Sequence, residues 1–159
     1  MDYDKKKVWP ILKSVTIFSG IDDENLEKIY SQCEIVTKKA GEIIIEEGTD
    51  ATQIFILLSG LVKIVLNYND QPLEIVKLGA GHCVGEASII GIQKHCASAI
   101  LAEDSDVLVF PRHILKDIYE RDKELFSMLI LNIARELARR LYNTDQALLK
   151  YKNLHPDHD

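Results

Sequence analysis

The sequence predicts a mainly β protein with flanking α-helices, a sandwich or barrel of short strands followed by a long C-terminal helix. Two observations carry this. Between Glu34 and Phe110 the chain runs as short β-rich segments, CEIVTKKAG, EIIIEEG, QIFILLSG, LVKIVLNYND, QPLEIVKLGAG and SAILAEDSDVLVFP, most of them ended by glycine. Many short strands with turns at such spacing mean a sandwich or a barrel. On both sides of this region the apolar residues change to helical spacing.

Residues 4 to 30 read as helical, interrupted by a turn at Ser19-Gly20. Asp22 is the expected N-cap of the second piece, with Leu26, Ile29 and Tyr30 behind it at helical spacing. Glycines 41, 48, 60, 81 and 85 fall at strand ends, where turns call for positive φ or a close backbone approach. Asn69-Asp70 followed by Pro72 marks an exposed hairpin turn. After Pro111 the chain is helical again, with a break expected near Arg121-Asp122. The second of these helices is long and carries two apolar strips. Phe126, Leu129, Ile130, Ile133, Leu137, Leu141, Thr144 and Leu148 form one, and Leu131, Ala134 and Ala138 the other. One strip can pack on the β-roll; the other calls for a partner helix, as in a parallel dimer, unless the helix is wholly buried in its own domain.

At 159 residues the chain is long enough for one domain with one core. It divides into N-terminal helices (1–33), a β-roll (34–110), C-terminal helices (111–152) and a polar tail (153–159). A formal net charge of −6 argues against broad affinity for nucleic acid. Cys33, Cys83 and Cys96 are odd in number and lack C-x-x-C spacing, as expected of reduced thiols in a cytoplasm. The amino-terminal MDYDKKKVWP is followed by no apolar run, and no window holds eighteen consecutive apolar residues. A soluble, untargeted protein without a membrane role is expected.

The stretch with chemistry in it is Gly79–Ala99, GAGHCVGEASIIGIQKHCASA. A glycine-rich turn opens a very short apolar helix and then enters a strand. Gly85 lets backbone approach a ligand, and the amides of Glu86, Ala87 and Ser88 would begin the helix with unpaired N–H groups, which suits a phosphate. Glu86 stands where a carboxylate can accept a hydrogen bond from a ribose hydroxyl.

GEASII followed by HCASA resembles the phosphate-binding cassette of the cyclic nucleotide-binding domain, GE-x-x-[LI]-[LI] and then R-x-A-[ST]. IFSGIDDENLEKI, KAGEIIIEEG, ILLSGLVKI and LGAGHCVGE are similar to further stretches of that family, in the same order. The resemblance covers roughly nine tenths of the chain. It implies a double-stranded β-helix, or jelly roll, and a ligand-gated regulatory module whose ligand is cyclic AMP, then cyclic GMP. It also implies a site built from Gly85, Glu86, Ala87, Ser88, His95, Cys96, Ala97 and Ser98. Gly85 and the amides after it would hold the phosphate, and Glu86 the ribose 2′-hydroxyl. ARRLYNT resembles the part of the dimer helix where cyclic-AMP receptor proteins reach the base with a threonine, which implies that role for Thr144. The family's transcription factors continue into a winged helix-turn-helix, whereas fourteen residues follow Asp145 here. Direct nucleic-acid binding is not expected of this chain.

The departure is His95, at the place of the family's arginine. An arginine fork is always charged and bidentate, whereas a histidine is a single-point donor, cationic only below about pH 6.5. Weaker or pH-dependent binding follows, with Lys94 as an alternative source of charge and a solvent-facing His95 as the degenerate case. Ser98 can donate a hydroxyl to phosphate or base, or be an ordinary outward residue of a strand. His82-Cys83 and His95-Cys96 invite a metal reading, but neighbours on a strand point to opposite faces, so no metal site is expected. No nucleophile elbow, H-E-x-x-H or P-loop is present, and an enzyme is not expected. The competing readings are a degenerate fold of the same type that docks or dimerises without ligand, and the sensor half of a longer transcription regulator. A haem, metal or redox sensor on the same scaffold is a third.

Overall fold

In the computed structural model, which describes residues 4–154, the alternating runs form two antiparallel four-stranded sheets. The strands are β1 (Glu34–Lys38), β2 (Ile43–Ile45), β3 (Gln53–Leu57), β4 (Leu61–Leu66), β5 (Leu73–Gly79), β6 (Cys83–Val84), β7 (Ser98–Leu101) and β8 (Ser105–Pro111). One sheet has the order β1-β8-β3-β6 and the other β2-β7-β4-β5. This is the antiparallel β sandwich with flanking helices that the sequence predicts.

The first sheet is covered on both faces, which explains why its central strands show no alternation. Ile54 pairs with Phe110 and Ile56 with Leu108 across β3 and β8. Those four side chains are buried in the cluster that also holds Leu12, Phe18, Leu26, Leu115, Leu125 and Leu129 from the helices. On the opposite face Leu57 joins Ile45, Val62, Val84, Ala99 and Leu101 between the sheets. A strand buried on both sides needs apolar residues at every position.

The helices are α1 (Lys5–Ser14), α2 (Asp23–Tyr30), α3 (Glu86–Gly91), α4 (Arg112–Arg121) and α5 (Lys123–Leu154), with a 3-10 turn over Thr16–Phe18. Asp22 caps α2 by accepting from the Asn25 amide at 2.8 Å. The interruption of the N-terminal helices is wider than Ser19-Gly20. Helix α1 already ends before Val15, which is extended at φ −69° and ψ 122°. The hairpin after β4 turns with Asn67 at φ 54°, stabilised by the Asp70 amide on the Asn67 carbonyl. The five strand-end glycines all have positive φ.

Asp122 separates α4 from α5, as expected. Leu125, Leu129 and Ile133 recur every fourth residue and are buried against the roll. Asn132, also buried, donates from Nδ2 to the carbonyls of Ile17 at 3.2 Å and Ser19 at 2.8 Å, pinning α5 to the 3-10 turn. The apolar strip leaves the roll after Leu137. Leu141 and Leu148 are 63% and 66% exposed, and Thr144 is exposed with them. The alternative of a helix wholly buried in its own domain therefore fails, because the roll ends before the distal turns and leaves these side chains exposed. Helix α5 runs through Leu154, two residues beyond the predicted boundary, and the remaining tail, 155–159, lies outside the described residues.

Candidate functional site

Gly85 is the N-cap of α3 at φ +96° and makes no side-chain cap. A β-carbon there would meet the Gln53 carbonyl oxygen at 2.8 Å, so β3 closes over a backbone that only glycine supplies. The amides of Glu86, Ala87 and Ser88 form the first turn and lack intrahelical acceptors. At the other end Ile92 is left-handed at φ 50° and ψ 50°, and 88% exposed. A β-branched residue in that region is strained.

Glu86 is fully buried at 0% exposure. Its Oε1 accepts from Arg140 Nη1 on α5, and Arg140 Nη2 donates to the Cys83 carbonyl at 2.7 Å. Arg140 Nε donates to Glu136 Oε1 at 3.1 Å, while Glu136 Oε2 accepts from Arg139. The other oxygen of Glu86, Oε2, is buried with no hydrogen-bond partner. Burial raises the Glu86 pKa above the ordinary 4.5 even though the Arg140 guanidinium pulls the other way. A buried carboxylate oxygen without a donor is costly, and a ligand hydroxyl would relieve it.

His95 faces inward, contrary to the solvent-facing alternative. It is 8% exposed, and its Cε1 lies 3.7 Å from where a β-carbon on Gly85 would be. Its backbone bridges the loop before β3, donating to the Thr49 carbonyl at 2.9 Å and accepting from the Gly48 amide at 2.8 Å. Burial lowers its pKa below 6.5, so the unliganded imidazole is neutral at pH 7. Lys94 is aimed elsewhere, at the Gly48 carbonyl and Asp50.

Of the remaining predicted residues, Ser88 is buried, Ala87 and Ala97 are half-buried, and Cys96 is exposed. Ser98 opens β7 from the inside, where its Oγ accepts from the Glu47 amide at 3.0 Å. That bond ties the loop after β2 to the cassette and leaves one hydroxyl proton to donate. The structure thus gathers Gly85, Glu86 and His95, with Ser98 supporting the loop beside them. Thr144 is one turn beyond Arg140 and donates to the Arg140 carbonyl at 2.9 Å, so within the chain its hydroxyl serves its own helix.

Arg140 is the site residue that sequence reasoning missed. Its signal was the Glu136–Arg140 i,i+4 pair in ELARR, which reads equally well as a solvated helix face. Among the described residues no group of three His, Cys, Asp or Glu side chains is placed to hold a metal. Burial raises the thiol pKa of Cys33 to about 12 and also raises that of Cys83.

Comparison with known proteins gives one consistent result. A family model described as the cyclic nucleotide-binding domain matches residues 35–122. The human cGMP-dependent protein kinase 2 is 31% identical over 136 residues, which is 81% of this chain and 18% of the kinase. The cyclic AMP receptor protein of Thermus thermophilus is 25% identical over 86% of this chain and 62% of its own length. The chain therefore spans less than two thirds of either relative. The crystal structure of the Thermus thermophilus catabolite activator protein superposes with a TM-score of 0.73 at 25% identity, covering 86% of this chain and 63% of that one. A cyclic nucleotide-binding domain from Methylobacillus flagellatus superposes with a TM-score of 0.81 at 20% identity, over 92% and 83% of the two chains.

Proposed function

The chain belongs to the cyclic nucleotide-binding domain family, and on that premise we propose that it is a sensor module for a cyclic nucleotide, with cyclic AMP as the ligand ahead of cyclic GMP. The observation that carries the reading is Glu86. It is wholly buried, one oxygen is held by Arg140 from α5, and the other is orphaned. A ribose hydroxyl is a donor that fits that oxygen. The cyclic phosphate would lie at the amides of Gly85, Glu86 and Ala87, beside His95 and Ser98. The charge complement is unusual, because the neutral His95 must take up a proton to match the anion.

The same arrangement supplies a route from site to helix. Arg140 belongs to α5, so any change at Glu86 alters the contact that holds α5 at the cassette. A ligand shifts that balance only by its different affinity for the two placements, with coupling of about 1 to 3 kcal/mol. In this reading α5 also pairs with α5 of a second copy along its exposed apolar strip, which would bring Thr144 within an assembled site near the base. A cytoplasmic setting fits the three free cysteines.

A second reading, a docking module without ligand, is favoured by one observation: Arg140 already occupies Glu86 while no permanent cation stands at the phosphate position. Isothermal titration of cyclic AMP and cyclic GMP at about pH 6 and pH 8 separates the two. Binding that disappears in Glu86→Ala supports the sensor. Absence of heat and of thermal shift at both pH values, with folded protein, leaves the docking module.

A further inference from the structure

Away from the cassette, α1, the 3-10 turn and α5 enclose a cleft of about 350 Å³. Its walls include Lys13, Thr16, Ser19, Asn132, Arg135 and Arg139, with neither a carboxylate nor an aromatic ring among the lining residues. We propose that this cleft is a second ligand site, for a small di- or triphosphate group.

Three features carry the assignment. The first is charge: three cations converge on one cavity in a protein whose formal net charge is −6. Lys13 is paired with Asp23 and Arg139 with Glu136, and both carboxylates lie outside the lining. Arg135 makes no hydrogen bond or ion pair among the described residues. An exposed guanidinium with no partner among the described residues, at a polar cleft, offers a fork suited to phosphate oxygens. The second feature is the Ser19 hydroxyl on the cleft wall, a further donor for an oxyanion, beside the hydroxyls of Ser14 and Thr16 that are held by the Ile11 carbonyl and by Glu136. The third is the absence of a stacking surface in the lining, which directs recognition to the anionic group and not to a base. The two walls are already tied together by Asn132, so the cleft is preformed.

The cleft is also wired to the nucleotide pocket. Arg139 shares Glu136 with Arg140, and Arg140 holds Glu86. An anion that draws Arg139 away from Glu136 strengthens the hold of Glu136 on Arg140 and changes the competition at Glu86. This link rests on the nucleotide reading of the cassette; binding at the cleft does not.

The test is titration of pyrophosphate and tripolyphosphate into the full chain at low salt and pH 7.5, with thermal unfolding to confirm that each variant folds. One anion per chain is expected. Affinity should fall about tenfold in Arg135→Gln and further in Arg135→Gln/Lys13→Gln, since each removes a charged donor. It should stay unchanged in Lys116→Gln, whose lysine lies on the exposed side of α4. No heat at millimolar pyrophosphate, or equal binding by wild type and Arg135→Gln, overturns the site. A parallel cyclic AMP titration with and without saturating pyrophosphate tests the wiring. A shift of about threefold or more supports it, and an unchanged affinity removes it. If no cyclic nucleotide binds at all, the sensor reading and with it the wiring fail, while the pyrophosphate isotherm still decides the cleft.

Discussion

Arg140 on α5 donates to Glu86 Oε1 and to the Cys83 carbonyl, while Glu86 Oε2, equally buried, has no donor. Removing the arginine would leave a buried carboxylate alone. Arg140→Gln is expected to cost about 2 to 3 kcal/mol, below the usual range for breaking a fully buried pair because Arg140 is partly exposed. The double variant Glu86→Gln/Arg140→Gln should recover more than half of that loss. Urea unfolding of the four proteins checks it, and additive effects would show that the two side chains do not act as a pair.

The pH dependence of stability carries the signature of Glu86. Its carboxyl holds a proton more tightly folded than unfolded, because burial raises the pKa above 4.5. The stability it lends is fully present below about pH 4.5 and is lost as pH rises through the folded value. Glu86→Gln has no such titration. The stability of wild type relative to this variant should therefore decline as pH rises above about 4.5 and level off once the folded value is passed, as read by denaturant midpoints at each pH. A flat or rising difference would reverse the assigned direction.

His95 imposes the opposite direction on ligand affinity. Free, it titrates below 6.5 because of burial. A bound phosphate favours the cation and raises that value, so binding takes up a proton and tightens as pH falls between the two values. Cyclic AMP is expected to bind more tightly at pH 6 than at pH 8, by no more than about tenfold per pH unit. His95→Arg should bind more tightly and His95→Gln more weakly, each without the proton uptake of His95, so that any slope left in them belongs to Glu86. Calorimetry in two buffers of different ionisation heat would count the proton directly.

Ile92 is the strained position of the cassette. It is left-handed and 88% exposed, so its side chain contributes little packing to offset the backbone. Ile92→Gly is expected to stabilise the protein by about 1 kcal/mol, measured by thermal or urea unfolding. A loss of stability would mean that the side chain has contacts of its own.

The exposed strip of α5 predicts self-association. Leu131, Ala134, Ala138, Leu141 and Leu148 alternate steps of three, four, three and seven residues, a seam for a parallel partner. Sedimentation should give a dimer for wild type and a monomer for Ala138→Glu/Leu141→Glu, with an unchanged core. A wild-type monomer at high concentration would remove the seam.

The β-roll could be read because its turns are glycines that need positive φ and its strands end on them, so Gly41, Gly48, Gly60, Gly81 and Gly85 mark its corners. The backbone half of the site was legible for the same reason, since Gly85 and the turn after it are local. Arg140 was not, because it reaches Glu86 across 54 residues and a helix carries its charge around the face before the fold decides where it points. The early end of α1 at Val15 was hidden because a β-branched residue is only weakly unfavourable in a helix. Helix periodicity likewise described the apolar strip of α5 correctly but not where the roll beneath it stops, because length of amphipathic pattern says nothing about the extent of the surface it meets.

The way α5 is fastened would let the proposed sensor turn a small event into a large one. The helix is gripped at its proximal half by Leu129, Asn132, Ile133 and Arg140, and beyond that grip its large apolar side chains, among them Leu141, Leu148 and Leu154, are exposed. At a rise of 1.5 Å per residue the length from Arg140 to Leu154 is about 21 Å. A tilt of about 10° at the grip would swing the tip by about 4 Å, roughly the diameter of a methyl group. If α5 moves as the proposed sensor requires, the distal helix would act as a lever arm with its fulcrum beside Glu86, and an ångström-scale rearrangement of one guanidinium would be read out several turns away.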